Sequence, residues 1–328
     1  MKKFLSVLLA LSMVASLAGC SKDESVAKDS EGQQTGKIKI GILQYMEHGA
    51  LDEAKNGFVA ALAEGGFVDG ENIEIDFQNA QADQSNLLTM SQRFVNNKSD
   101  LILAIATGAA QSAAAQTKDI PILFTAVTDP VAAGLVNSNE APGGNISGTN
   151  DMSPMEKQIE LMLTLAPDTK TVGVMYTSSE DNSVMQAAVV KEILEKKGLE
   201  YVEQTVTSSN DVQQATQSIV TKCDAIYIPT DNTFASAMPI VAEITQKAKV
   251  AVICGEEGPV KNGGLATLGL NYYNLGHQTG EMAVRVLKGE DISKMPVESQ
   301  AKYSYLINGQ TAKALGLEIP AELTEFVQ

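Results

Sequence analysis

Three apolar runs of this chain occur twice, in the same order and at nearly the same spacing. Ile38-Lys39-Ile40-Gly41-Ile42-Leu43 returns as Thr171-Val172-Gly173-Val174-Met175-Tyr176. The stretch from Asp100 to Thr107 returns from Asp224 to Asp231, and Asp119 to Phe124 returns from Lys249 to Cys254. With Gly41 matched to Gly173, the offsets lie between 124 and 132 residues. That is too long for a stacked repeat and describes two similar domains. The runs are short and rich in β-branched residues. Between them lie stretches of helical period, Leu51 to Leu62, Gln84 to Val95 and Ala109 to Gln116 in the first half. Strand–helix alternation of this kind predicts a parallel sheet covered on both faces. The expected fold class is α/β, with two doubly wound, Rossmann-like domains joined by a hinge.

The turn-rich Gly143-Gly144-Asn145 marks the end of the first domain. A later strand from Leu265 to Leu270, a helix from Asn274 to Leu287 and a last run from Tyr303 to Ile307 suggest that the chain crosses back. The expected lobes are 37–148 plus 267–300 and 149–266 plus 301–328. Three linking segments would then form the hinge. At 44% hydrophobic residues the chain can fill two cores, and a formal charge of −16 argues against nucleic acid as a partner. Cys223 and Cys254 each lie beside an apolar strand and suit buried free thiols better than a disulfide framework. His48 and His277 are the only histidines and lie far apart, so no metal site is expected.

The start of the chain has its own organisation. Lys2 and Lys3 precede an apolar run from Phe4 to Leu17 interrupted only by Ser, and Leu17-Ala18-Gly19-Cys20 follows. The run is short for a membrane span and has the charge, apolar core and small residues of a signal peptide over 1–19. Residues 20–36 are polar and read as a flexible tether.

In open parallel sheets, ligands bind beyond the carboxyl ends of the strands. In the first domain those positions hold Gln44, Tyr45 and His48, Thr107 and Gly108, and Ala126, Thr128 and Asp129. Hydroxyls, small residues and free amides at helix starts favour a carboxylate. In the second domain they hold Ser178, Glu180, Asp231, Asn232 and Glu256, whose carboxylates suit an ammonium group. Together they describe a cleft for an α-amino acid, with Tyr45 and His48 as flat surfaces for its side chain. Ser, Thr, Asp and Asn at such junctions also serve as helix N-caps, and Asp129 before Pro130 suits a turn, so both roles stay open. No dinucleotide loop, Walker loop, nucleophile elbow or Cys/His pair is present. The expectation is therefore no cofactor and no enzymatic activity.

Several motifs together carry a family resemblance over about Lys37 to Pro320. They are Gly41-Ile42-Leu43-Gln44-Tyr45 with His48, Ala106-Thr107-Gly108, Phe124 to Pro130, Gly143 to Gly148, Tyr273-Asn274-Leu275-Gly276 and Ala312 to Gly316. The chain resembles the ABC-transporter substrate-binding lipoproteins of the type with tryptophan- and tyrosine-binding members, of the type I periplasmic-binding-protein build. The resemblance implies a two-lobed clamshell that closes on a small molecule and delivers it to a membrane permease. It implies lipidation at Cys20, an extracytoplasmic position on the membrane and a monomer. Leucine/isoleucine/valine-type binding proteins look similar around Ala126-Val127-Thr128. By that likeness Thr107, Ala126 and Thr128 would hold the ligand carboxylate, and Asp231 the ammonium. Gly49 departs from the Pro that often follows the histidine. The alternatives are the same fold binding a nucleoside or a branched-chain amino acid, a ligand-sensing module for a membrane receptor, and a surface hydrolase.

Overall fold

A computed structural model describes residues 36–328. The signal peptide, Cys20 and the tether up to Thr35 lie outside the described residues. The repeated apolar runs are the inner strands of two six-stranded sheets. The first sheet contains β1 (Ile38–Gln44), β2 (Ile73–Asn79), β3 (Leu101–Ile105), β4 (Ile122–Val127) and β5 (Ile146–Asn150). The second contains β6 (Thr171–Thr177), β7 (Glu200–Val206), β8 (Ala225–Ile228), β9 (Ala251–Cys254) and β10 (Ala266–Gly269). A short β11 (Glu298–Ser299) completes the first sheet and β12 (Ser304–Ile307) the second. The orders are β11-β5-β4-β3-β1-β2 and β12-β10-β9-β8-β6-β7. Each repeated run thus occupies the same place in both sheets. Pairing is parallel throughout the first sheet, whereas β12 runs antiparallel to β10.

β3, β4, β8 and β9 are buried along their whole length, because helices cover both faces and no strand face meets water. The first lobe carries α1 (Gly49–Glu64), α2 (Gln84–Asn96) and α3 (Thr107–Gln116). The second carries α4 (Met155–Leu165), α5 (Asp181–Lys196), α6 (Val212–Ile219), α7 (Asn232–Ala248) and α8 (Glu257–Lys261). The chain then returns to the first lobe as α9 (Tyr272–Leu287) and ends with α10 (Gly309–Leu315) in the second. What pins α9 to the first lobe is backbone contact with α1. A Cβ on Gly276 would fall 1.8 Å from the Ala54 carbonyl oxygen, and one on Gly57 would fall 2.0 Å from that of Tyr273. Only glycine permits helices this close.

The chain crosses between lobes three times, after β5, after β10 and after β11. Two crossings differ from the sequence expectation. β10 stays in the second sheet between β9 and β12, so the second crossing follows Gly269 rather than residue 266. β5 runs to Asn150 within the first sheet, two residues past the expected boundary. Cys223 and Cys254 are free, the first half-buried and the second buried.

Candidate functional site

The carboxyl ends of β1, β3 and β4 form the first wall. Two non-glycine residues there adopt positive φ, Ala106 at 79° and Ala126 at 57°, a conformation that costs on the order of 1–3 kcal/mol each. Both are buried. Ala126 lies where the register of β4 on β5 shifts between Phe124 and Val127. Ala106 is the N-cap of α3 and offers no side chain to its first N–H groups. By contrast α2, α7, α9 and α10 are capped by Asp83, Asp231, Asn271 and Asn308. The start of α3 therefore presents uncapped amides and the positive end of its dipole to the cleft. Tyr45 lies over it: a Cβ on Gly108 would meet the Tyr45 ring at 2.9 Å.

The second wall contains two carboxylates that are fully engaged. Asp231 Oδ2 accepts from the Thr177 amide at 2.7 Å. Its Oδ1 accepts from the Thr177 hydroxyl at 2.9 Å and the Phe234 amide at 2.8 Å. Glu180 accepts from the amide and side chain of Asn232 and from the amide and hydroxyl of Thr233. Both tie the ends of β6 and β8 to the start of α7. Burial, reinforced by the Asp231 charge, pushes Glu180 up to about 7. Asp231, expected to meet a ligand ammonium, thus spends three acceptor positions within its own lobe, a capping role that leaves little of the carboxylate for a ligand. Glu180 is engaged in the same way. Ser178 is exposed and turns its hydroxyl to the Val206 carbonyl, away from the cleft.

Uncommitted acceptors lie elsewhere. Asp151, in the first crossing, is 2% exposed and Glu256, after β9, is also 2% exposed. Asp151 Oδ1 and Glu256 Oε2 have no hydrogen-bond partner, and neither does the nearby Thr230 Oγ1. Tyr272, at the start of α9, donates to Asp151 Oδ2 at 2.6 Å. Among the described residues neither carboxylate forms an ion pair. Burial raises both groups, Glu256 to about 8, and the Asp151 charge adds to the rise at Glu256. Burial and these two carboxylates also push the Tyr272 phenol well above its ordinary value. Gln44, fully buried at the end of β1, uses its Nε2 on the Met46 carbonyl and Asp52, leaving Oε1 unpartnered.

The lobes touch across this region. His48 Nε2 lies 3.1 Å from Asn232 Oδ1, and Gln111 Nε2 donates to Asp181 Oδ2 at 3.0 Å. Asn232 spends its Nδ2 on Glu180, so its Oδ1 accepts and His48 donates from Nε2. Burial lowers the His48 pKa and keeps the ring neutral. Gly258 of α8 stands with its Cβ position 3.6 Å from the Ala50 side chain of α1.

Most positions expected from the sequence converge here. Tyr45, Thr107 and Gly108 face Glu180 and Asn232 across a narrow pocket. Thr128 is buried beside Asp151, whose charge its hydroxyl favours. Asp129 turns its Oδ1 to the amides of Val131 and Ala132, closing the turn before α3's neighbouring loop. Asp151, Thr230 and Tyr272 were absent from the expected set. Asp151 follows β5 directly, a position of the same kind as those read at the other strand ends, but it lies past the Gly143-Gly144-Asn145 turn that reads as the end of the first domain.

A sequence profile described as ABC transporter substrate binding protein matches residues 39–326. A tyrosine-binding protein of Clostridioides difficile is 44% identical over 321 residues, 97% of this chain and 93% of that one. An ABC domain of Streptococcus pneumoniae solved in complex with L-Trp superposes with a TM-score of 0.86 at 39% identity, over 89% of this chain and 100% of that one. The ligand-free, open structure of a substrate-binding protein with adhesive properties from Clostridium difficile gives 0.69 at 50% identity, over 89% and 98%. The shape thus follows the liganded protein more closely although the sequence is nearer the open one, in keeping with the direct bonds between the lobes. Two wound sheets, three crossings and a closed cleft have the build of type I periplasmic binding proteins. The chain belongs to the ABC transporter substrate-binding protein family.

Proposed function

We propose that this chain captures an α-amino acid with an aromatic side chain in the interlobe cleft and presents it to an ABC permease. One observation carries the reading: two buried carboxylates, Asp151 and Glu256, each keep an oxygen unpartnered. A buried carboxylate without a partner costs several kcal/mol, on the order of what a ligand cation returns. The ammonium group seats against Asp151, beside Glu256. The ligand carboxylate takes the uncapped start of α3 with Thr107 and Gly108, and the strained turn from Ala126 to Thr128. Tyr45 packs on the ligand's ring. The tyrosine-binding relative and the L-Trp complex support the choice of an aromatic ligand. A nucleoside brings no cation and leaves both carboxylates unanswered.

The family works outside the cytoplasm, and no helix among the described residues is long and apolar enough to cross a membrane. We infer that the anchor is a lipid on Cys20, that the protein acts as a monomer, and that it catalyses no reaction. Calorimetry with tryptophan, tyrosine and phenylalanine tests the ligand class. Tryptamine, lacking the carboxylate, and N-acetyltryptophan, lacking the ammonium, are expected to bind at least 100-fold more weakly than tryptophan, about 2.7 kcal/mol. Equal binding of either analogue would remove the corresponding half of the site.

A further inference from the structure

We propose that the closed cleft takes up a proton as a second ligand, with Glu256 held there as the neutral acid while Asp151 remains the ionised partner of the ligand cation. The inference rests on the preceding reading, in which the ligand brings one ammonium group.

The charge count comes first. Asp151 and Glu256 are both buried, close enough for the charge of the first to act on the second, and one ammonium neutralises only one of them. A residual buried charge is costly, and protonating one carboxylate removes it. The hydrogen bonds decide which one. Asp151 accepts from the Tyr272 hydroxyl at 2.6 Å, and the Thr128 hydroxyl also favours its ionised form. Glu256 is the N-cap residue of α8, yet its carboxylate caps nothing and Oε2 has no partner. The charges around Glu256 are mostly of its own sign. Asp151 from the first crossing, Glu257 on α8 and Asp231 before α7 all repel a second negative charge. Cys254 on β9 and Tyr272 on α9 are held protonated by burial. Only Lys261, on the outer part of α8, acts the other way.

The sign of the pH dependence follows. In an open cleft a solvated glutamate titrates at ~4.3. In the closed cleft burial, with the Asp151 charge, pushes Glu256 up to about 8. The closed form therefore holds more protons between these values, and closure weakens as pH rises through that window. The limiting slope for one proton is about tenfold per pH unit.

Calorimetric titration with L-tryptophan at pH 7, in phosphate and in Tris, reads the proton directly from the difference in heat. Wild type is expected to take up a measurable fraction of a proton, at most one, with affinity falling as pH rises from 5.5 to 7. Glu256→Gln copies the neutral acid, so it is expected to abolish the uptake and to bind at least about tenfold more tightly than wild type at pH 7. Asp151→Asn is expected to weaken binding at least about tenfold while circular dichroism confirms its fold. No proton uptake by wild type, or Glu256→Gln weakened as Asp151→Asn is, would overturn the proposal. If tryptophan gives no heat with wild type, the amino-acid reading fails separately. Small-angle scattering of the ligand-free protein from pH 8 to 5 then decides: contraction supports proton-favoured closure, and an unchanged radius of gyration overturns it.

Discussion

Gly108→Ala separates binding from folding. In the closed structure the new methyl would stand 2.9 Å from Tyr45 Cε2 and 3.0 Å from Cδ2. Ordinary carbon contacts lie at roughly 3.5–4.0 Å, so the ring must retreat by about 0.6–1 Å. Tyr45 is 5% exposed and has little space to give. Overpacking of this size costs about 1–3 kcal/mol, equivalent to about 5–150-fold in Kd. An open cleft lets the ring turn away, so the cost falls on the closed, liganded form. Gly108 also lies in the first turn of α3, where Ala instead of Gly contributes up to about 1 kcal/mol of fold stability. The expected result is a weaker tryptophan affinity by calorimetry, together with an unchanged or slightly raised Tm without ligand. An affinity within twofold of wild type would refute the placing of Tyr45 against the ligand. A parallel fall in Tm would show that the contact serves the fold instead.

Two further substitutions test other assignments. Asp231→Ala leaves the Thr177 amide and hydroxyl and the Phe234 amide without their acceptor, so a loss of about 1–3 kcal/mol in chemical denaturation is expected. Asp231→Asn, which keeps one acceptor oxygen, should lose less, and equal stability of Asp231→Ala and wild type would contradict the capping role. Cys20→Ala is expected to abolish labelling by a radioactive fatty acid in cells while leaving binding by the purified body unchanged; retained label would place the anchor elsewhere.

The lobes were legible because buried parallel strands are apolar on both faces, so β3, β4, β8 and β9 and the inner parts of β1 and β6 are nearly continuous apolar runs. Their shared order also made the duplication visible. The return crossing was harder to place, since the sequence shows a strand from Leu265 to Leu270 but not which sheet it joins, and β10 is placed only by its pairing with β9 and β12. Reading strand ends alone names Tyr45, Thr107, Gly108 and Thr128, which the structure places along one wall, and Glu256, which it buries with one oxygen free. It does not name Asp151. Asp231 and Asp151 look alike in one dimension, each an acidic residue just after a strand. What distinguishes them is Thr177, which engages both oxygens of the first from the end of another strand, and Tyr272, 121 residues from the second, which satisfies only one of its oxygens. Such differences arise from tertiary contacts between segments whose pairing no local pattern specifies.

Closure of the cleft around an aromatic amino acid is directly measurable. The chain contains no Trp, so indole emission excited beyond tyrosine absorption reports the ligand alone. Titrating purified protein into free tryptophan at pH 7 should give a saturable blue shift at one-to-one stoichiometry, as the indole leaves water for an enclosed site. Phenylalanine and tyrosine should compete, because a flat apolar slot separates such rings only weakly. An indole spectrum that stays unchanged at saturating protein, with no calorimetric heat, would contradict that closure.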